Sequence, residues 1–144
     1  MDYKFQFQLT QPDILNQWNI YLTQLTASND SEIEKQMKKL NIPHIQLEIT
    51  FPPNYPHSPP FIRIVTPKFM FRTGHITMGG SICMELLTNQ GWIPTATMAS
   101  VLFQIILLIN EGEGRIDEVN YNQSYSMSEA KSAYDRLKAT HGWK

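Results

Sequence analysis

Five prolines fall within nine residues, Pro52, Pro53, Pro56, Pro59 and Pro60 of the stretch PPNYPHSPP. Each removes a backbone donor and fixes φ, and each pushes the residue before it into extended conformation. The stretch can therefore be neither a helix nor an interior strand; it is a stiff connection. On its upstream side Ile45, Leu47, Ile49 and Phe51 alternate with polar residues at period two, and on its downstream side Phe61 to Val65 is dense in aromatic and β-branched residues. Both flanks read as strands, with opposite faces alternately apolar and polar upstream. The connection thus fixes two consecutive strands and how they are joined.

The remaining pattern extends this reading in both directions. From Lys4 the residues Phe5, Phe7 and Leu9 alternate, and after a Pro12-Asp13 turn the alternation resumes at Trp18, Ile20 and Leu22, which predicts two more antiparallel strands. Between them and the third strand, Ser31 followed three residues later by Glu34 is a capping-box signature, and Ile33, Met37 and Leu40 recur at helical spacing. A short surface helix over about 31–40 is inserted there. Residues 66 to 96 carry no long periodic run and are punctuated by Pro67, Gly74, Gly79, Gly80, Gly91 and Pro94. A long irregular loop inside a compact domain is usually functional. Beyond it, Thr97 caps a central helix carrying Val101, Leu102, Ile105, Ile106, Leu108 and Ile109 and stopped at Gly112. Ser126 with Glu129 opens a second helix, with Ala130, Ala133, Tyr134 and Leu137 on one side and Gly142 at its end. Strands first and helices after give an α+β fold: a four-stranded antiparallel meander with helices packed on one face. At 144 residues this is a single domain spanning 1–144.

Composition removes several function classes. Twelve Lys and Arg against thirteen Asp and Glu leave a net charge of -1 with a pI near 6.4, so there is no basic face for nucleic acid or anionic lipid. No run is apolar enough to span a bilayer, and MDYKFQFQL has neither the basic nor the apolar part of a signal peptide. The chain is expected in the cytoplasm or nucleus, without a membrane. One cysteine, Cys83, makes no internal disulfide, and His44, His57, His75 and His141 lack ligand spacing, so no metal is expected.

Cys83 lies in GGSICMELL, within the irregular loop and just after a glycine pair that lets backbone or substrate approach closely. It is either a nucleophile or a small buried hydrophobe. A thiol protease would need a histidine and a third orienting group. His75 lies eight residues upstream and His57 in the proline connection, but neither sits in a cysteine-protease signature.

In order, YPHSPP between apolar strands, GSIC, Trp92 with Pro94, and the apolar helix closely resemble the catalytic domain of ubiquitin-conjugating enzymes. That family has a YPxxPP turn, a G-x-I-C block and a Trp-x-Pro; here they are Tyr55 to Pro60, Gly80 to Cys83 and Trp92 to Pro94. PPFIRIVTP, CMELLTNQGW, the terminal HGWK and the insertion before the third strand resemble the Q branch, and the similarity runs from about Tyr3 to Lys144. Two departures stand out. The chain begins at the first strand, so the family's N-terminal helix, which contacts the activating enzyme and ligases, is expected to be absent. The usual His-Pro-Asn tripeptide is replaced by Thr73, Gly74 and His75.

The resemblance implies that Cys83 takes the ubiquitin carboxyl from the activating enzyme as a thioester and passes it to an amine, usually a lysine. It implies ubiquitin, the activating enzyme, a ligase and a substrate protein as partners of a monomer. It implies no cofactor of its own, ATP being used by the activating enzyme. His75, where the family has asparagine, is the candidate oxyanion donor. Glu111, Glu113, Asp117 and Glu118 fall in the region that resembles the gate beside the cysteine, with Glu113 and Asp117 as candidates to line the groove; the alternative is a solvated acidic loop. Trp92 is a groove candidate or a packing plug. His57, Pro94 and Thr95 fall where two ligase-contacting loops would lie, or are ordinary turn residues. A second reading keeps the fold but leaves Cys83 idle, in a ubiquitin-binding or scaffolding protein; a third, a thiol hydrolase, has no motif behind it.

Overall fold

The computed structural model describes residues 5–11 and 14–144, with side chains from residue 15 onward. Four strands, β1 (Phe5–Gln11), β2 (Ile14–Leu22), β3 (Ile45–Thr50) and β4 (Phe61–Thr66), pair antiparallel in the order β1-β2-β3-β4. Among the described residues the sheet is accompanied by helices α1 (Glu32–Leu40), α2 (Met98–Glu111) and α3 (Met127–His141) and a 3-10 turn at Glu85–Leu87. The expected meander and the order of its elements are those observed. Whether a helix precedes β1 lies outside the described residues.

Register follows from the pleat. Ile20 opposes Leu47, Trp18 opposes Ile49, Leu47 opposes Ile64 and Ile49 opposes Ile62, so the alternating apolar residues meet on one face. Leu22, Ile45, Leu47, Ile49 and Ile64 are fully buried there, in one cluster with Leu102, Ile105, Ile106 and Ile109 of α2. Each such aliphatic side chain contributes roughly 1.5–3 kcal/mol by leaving water. Phe103 and Leu107, on the opposite side of α2, reach the surface. The other face of the sheet carries a polar row, in which Glu48 opposes Arg63 in register and accepts a hydrogen bond from Arg63 Nε at 3.2 Å.

The free edge of β4 is covered. Ile64 N–H donates to the Gly80 carbonyl at 2.7 Å, and Tyr125 N–H donates to the Val65 carbonyl at 2.8 Å. This removes an open template for pairing with another chain. α3 lies beside it: Tyr134 OH donates to the Leu87 carbonyl at 2.7 Å, and its ring meets Phe61 edge-on.

Both capping boxes form with both arms, Ser31 with Glu34 and Ser126 with Glu129. Burial pushes the Glu34 carboxyl up. Hydrogen bonds from the Thr26 and Ser31 hydroxyls and from the Leu25 and Ser31 N–H groups outweigh that and hold it below its ordinary value. The proline connection runs through a cis Tyr55–Pro56 bond. Among the described residues no helix is long and apolar enough to cross a membrane.

Candidate active site

The eight-residue spacing between His75 and Cys83 has a geometric basis. Cys83 N–H donates to the His75 carbonyl at 2.8 Å, Ile76 bridges Ile82, and Thr77 N–H donates to the Ser81 carbonyl at 2.9 Å. Residues 75–83 are therefore a miniature hairpin, with His75 and Cys83 opposite one another at its open end. Its tip is tightened by the Thr77 and Ser81 hydroxyls, 2.7 Å apart. Gly79 and Gly80 are dictated by packing. A Cβ at Gly80, where φ is +93°, would stand 2.6 Å from Tyr125 Cγ; one at Gly79 would stand 2.1 Å from the Glu129 carbonyl oxygen. The close approach these glycines permit is to α3 and the segment leading into it.

Cys83 is half-buried between the buried Ile82 and Met84. Burial pushes its thiol above the ordinary value. Among the described residues no side chain hydrogen-bonds its sulfur. Across the hairpin His75 is exposed, in left-handed conformation with φ at 58°, and its ring edge faces Gly112 at the end of α2. Its carbonyl is committed to Cys83. Beneath, the Tyr134 phenol is pushed above its ordinary range, by burial first and by the neighbouring Cys83 second.

The segment after α2 is laced to the hairpin's approach. Gly74 N–H donates to the Gly112 carbonyl at 2.9 Å, Arg115 N–H to Thr73 Oγ1 at 3.1 Å, Met70 N–H to the Arg115 carbonyl at 2.8 Å and Asp117 N–H to the Lys68 carbonyl at 2.9 Å. Of the acidic candidates, Asp117 spends its carboxylate on its own loop. It accepts from Asn120 Nδ2 at 3.0 Å and from the Val119 and Asn120 N–H groups, and these bonds, that of the Asn120 side chain first, lower its carboxyl. Glu118 pairs with Lys39 of α1 at 3.2 Å. Glu111 and Glu113 are at the surface, and Glu113 lines a cavity with Ser31, Glu32, Asn110 and Arg115, next to the start of α1.

Trp92 is 8% exposed, and its indole N–H donates to the Pro56 carbonyl at 2.7 Å. The structure therefore places it as the plug between the proline connection and the loop ahead of α2. Through it, the loops bearing His57 on one side and Pro94 and Thr95 on the other are brought together, with all three side chains exposed.

A family model described as "Ubiquitin-conjugating enzyme" matches residues 43–140. The chain is 38% identical over 131 residues to the Q-like protein 1 among the ubiquitin-conjugating enzymes of Homo sapiens, covering 88% of this chain and 79% of that protein. It is 35% identical over 147 residues to ubiquitin-conjugating enzyme E2 25 of Caenorhabditis elegans, covering 96% of this chain and 37% of that one. Among solved structures, human ubiquitin-conjugating enzyme E2 G1 superposes with a TM-score of 0.58 at 19% identity, over 74% of this chain and 80% of that chain. The chain belongs to the ubiquitin-conjugating enzyme family. Its similarity to the Q and Q-like proteins places it in the Q branch.

Three residues that shape the site in this chain were not singled out from sequence. Tyr125 packs on Gly80 and its hydroxyl accepts the Phe69 N–H at 2.8 Å. Arg63 binds both Glu48 and the Tyr125 carbonyl, at 3.2 and 3.1 Å. Gln36 of α1 pairs with the Ile116 backbone. A charged residue inside the otherwise apolar FIRIV run was the available signal for Arg63; the other two depend on distant partners that no local pattern marks.

Proposed function

We propose that Cys83 accepts ubiquitin from the activating enzyme as a thioester and passes it to an amine, usually a lysine of a substrate protein. The observation that carries this reading is a half-exposed cysteine, opposite His75 on a short braced hairpin, in a chain of this family. In the first step the Cys83 thiolate attacks the carbonyl carbon of the activating enzyme's thioester, and that enzyme's thiolate leaves. In the second a deprotonated amine attacks the same carbon, its second proton goes to water, and the Cys83 thiolate leaves.

A sulfur without a base suits a store of acyl groups, because a base beside it would also activate water. The raised thiol makes a poorer leaving group, which slows hydrolysis, and it requires thiol exchange to quicken as pH rises. His75, whose carbonyl accepts the Cys83 N–H, carries an exposed imidazole and is the candidate to donate to the oxyanion formed in the second step. Ubiquitin, the activating enzyme, a ligase and a substrate protein are the partners this reading requires, the ligase at the loops of His57, Pro94 and Thr95. ATP is consumed by the activating enzyme, and the reading places the reaction in cytoplasm or nucleus.

Incubation with activating enzyme, ubiquitin and Mg-ATP tests it. The expected result is a ubiquitin adduct cleaved by thiol reductant in the unaltered protein, a slower but reductant-resistant adduct with Cys83→Ser, and none with Cys83→Ala. No adduct on the unaltered protein would instead favour a scaffolding role.

A further inference from the structure

The inserted helix α1 is joined to the segment beside the hairpin by an arrangement that resembles strand pairing. Phe69 and Ile116 oppose one another in an isolated antiparallel bridge, whose hydrogen bonds run from Met70 N–H to the Arg115 carbonyl and from Asp117 N–H to the Lys68 carbonyl. In such a pair the Ile116 N–H and carbonyl point away from Phe69, toward the place of a third strand. Gln36 fills that place with its side-chain amide. Its Oε1 accepts the Ile116 N–H at 2.9 Å and its Nε2 donates to the Ile116 carbonyl at 3.3 Å. Ile116 is fully buried, so these two backbone groups have no ready substitute in bulk water.

The connection continues to the thiol. Ile116 follows Arg115, whose N–H donates to Thr73 Oγ1; Gly74 N–H donates to the Gly112 carbonyl; His75 follows Gly74 and pairs with Cys83. Gly74 and His75 both hold positive φ, at 65° and 58°, a conformation that a non-glycine residue keeps only where its surroundings impose it. We propose that Gln36 is a positioning residue for acyl transfer: by pairing with Ile116 it holds segment 112–117 in register, and through it the left-handed Gly74-His75 turn opposite Cys83. The proposal rests on the transfer reading above for its chemistry, though not for its geometry. It assigns a task to the insertion before β3: α1 is a buttress of the active-site wall.

Two variants separate hydrogen bonding from packing. Gln36→Met keeps length and helix propensity but loses both bonds; Gln36→Ala loses bonds and bulk. Lys35→Ala, on the solvent side of α1 in an exposed pair with Glu32, is the control. Thiol exchange at Cys83 depends first on its thiolate and on access to it, whereas attack by a neutral amine on the stored thioester depends more on the carbonyl oxygen being placed against a donor. In single-turnover assays with the purified adduct, both Gln36 variants should discharge to free lysine roughly 5- to 30-fold more slowly, short of the hundredfold that an ångström of misplacement can cost. Charging should stay within about twofold, as expected where geometry rather than access is disturbed. Hydrogen exchange of the uncharged protein should show faster exchange at Ile116 and also at Gly74, with global protection unchanged.

Normal discharge and unchanged Gly74 exchange in Gln36→Met would overturn the proposal. So would charging and discharge falling together with global protection, since α1 would then act on stability alone. If the unaltered protein forms no adduct, the transfer reading fails; the exchange arm still decides the positioning, with Gly74 unprotected in Gln36→Met supporting it and Gly74 unchanged overturning it.

Discussion

His75 and Cys83 show what sequence spacing can and cannot reveal about single residues. Their separation was legible, and the hairpin explains it, because residues 75 and 83 form its open end. The conformation of His75 was not legible: its positive φ follows Gly74, whose N–H donates to the carbonyl of Gly112, a residue far away in sequence. Asp117 is the reverse case. Its acidity suggested chemistry, yet Asn120 three residues later was the local sign of a turn that consumes the carboxylate. The positive φ also decides how His75 should be tested. Alanine there removes the imidazole and strains the backbone together, at about 1–2 kcal/mol for a residue in the left-handed region, whereas glycine removes the side chain and relieves the backbone. We expect both His75→Ala and His75→Gly to charge within a few-fold of the unaltered protein. Discharge to free lysine should fall roughly 10- to 1000-fold, the upper range being the loss of one oxyanion donor. His75→Asn, which tolerates this φ and can donate, should recover part of it. Equal discharge by His75→Gly and the unaltered protein, in single-turnover measurements on the purified adduct, would remove the imidazole from the mechanism.

At the scale of elements the sequence was informative wherever the signal is local. Both capping boxes, the alternation of β2 and β3 and the apolar rows of α2 each lie within one element, and each is present in the structure. The cover of the β4 edge and the docking of α1 on segment 112–117 were not readable, since Gly80, Tyr125 and Ile116 are contributed by remote parts of the chain. α2 is where local and distant information agree: Ile105, Ile106 and Ile109 are fully buried among the apolar residues of three strands. Ile105→Ala should therefore cost about 2–5 kcal/mol, transfer and cavity together, because the sheet held in register by its ladders cannot collapse into the space. Chemical denaturation with unchanged m-value measures it. A loss below about half a kilocalorie, the ordinary size of a surface substitution, would show that α2 is peripheral.

At the scale of the whole molecule, a buried ion pair joins the sheet to the cysteine hairpin. Glu48 and Arg63, with side chains 11% and 10% exposed, pair across β3 and β4 on the face away from α2. Arg63 also donates to the carbonyl of Tyr125, the residue against which Gly80 packs, and its backbone bridges Ser81 at the hairpin. Two contributions can be separated here. A pair removed from water contributes little net stability, because desolvation offsets attraction; breaking it leaves a lone buried charge at about 3–5 kcal/mol. The hydrogen bond to Tyr125 is independent of Glu48 and is worth about 1.5–3 kcal/mol as a bond from a charged donor. Glu48→Leu should thus destabilise strongly by stranding the guanidinium, and Arg63→Met more strongly still, stranding a carboxylate and freeing the Tyr125 carbonyl. The double variant should be far less destabilised than the sum, yet short of full recovery by about the Tyr125 bond. Additive losses in the denaturation cycle would mean that the two charges do not interact in the folded protein. Full recovery would mean that the Arg63–Tyr125 bond contributes nothing to holding the hairpin against the sheet.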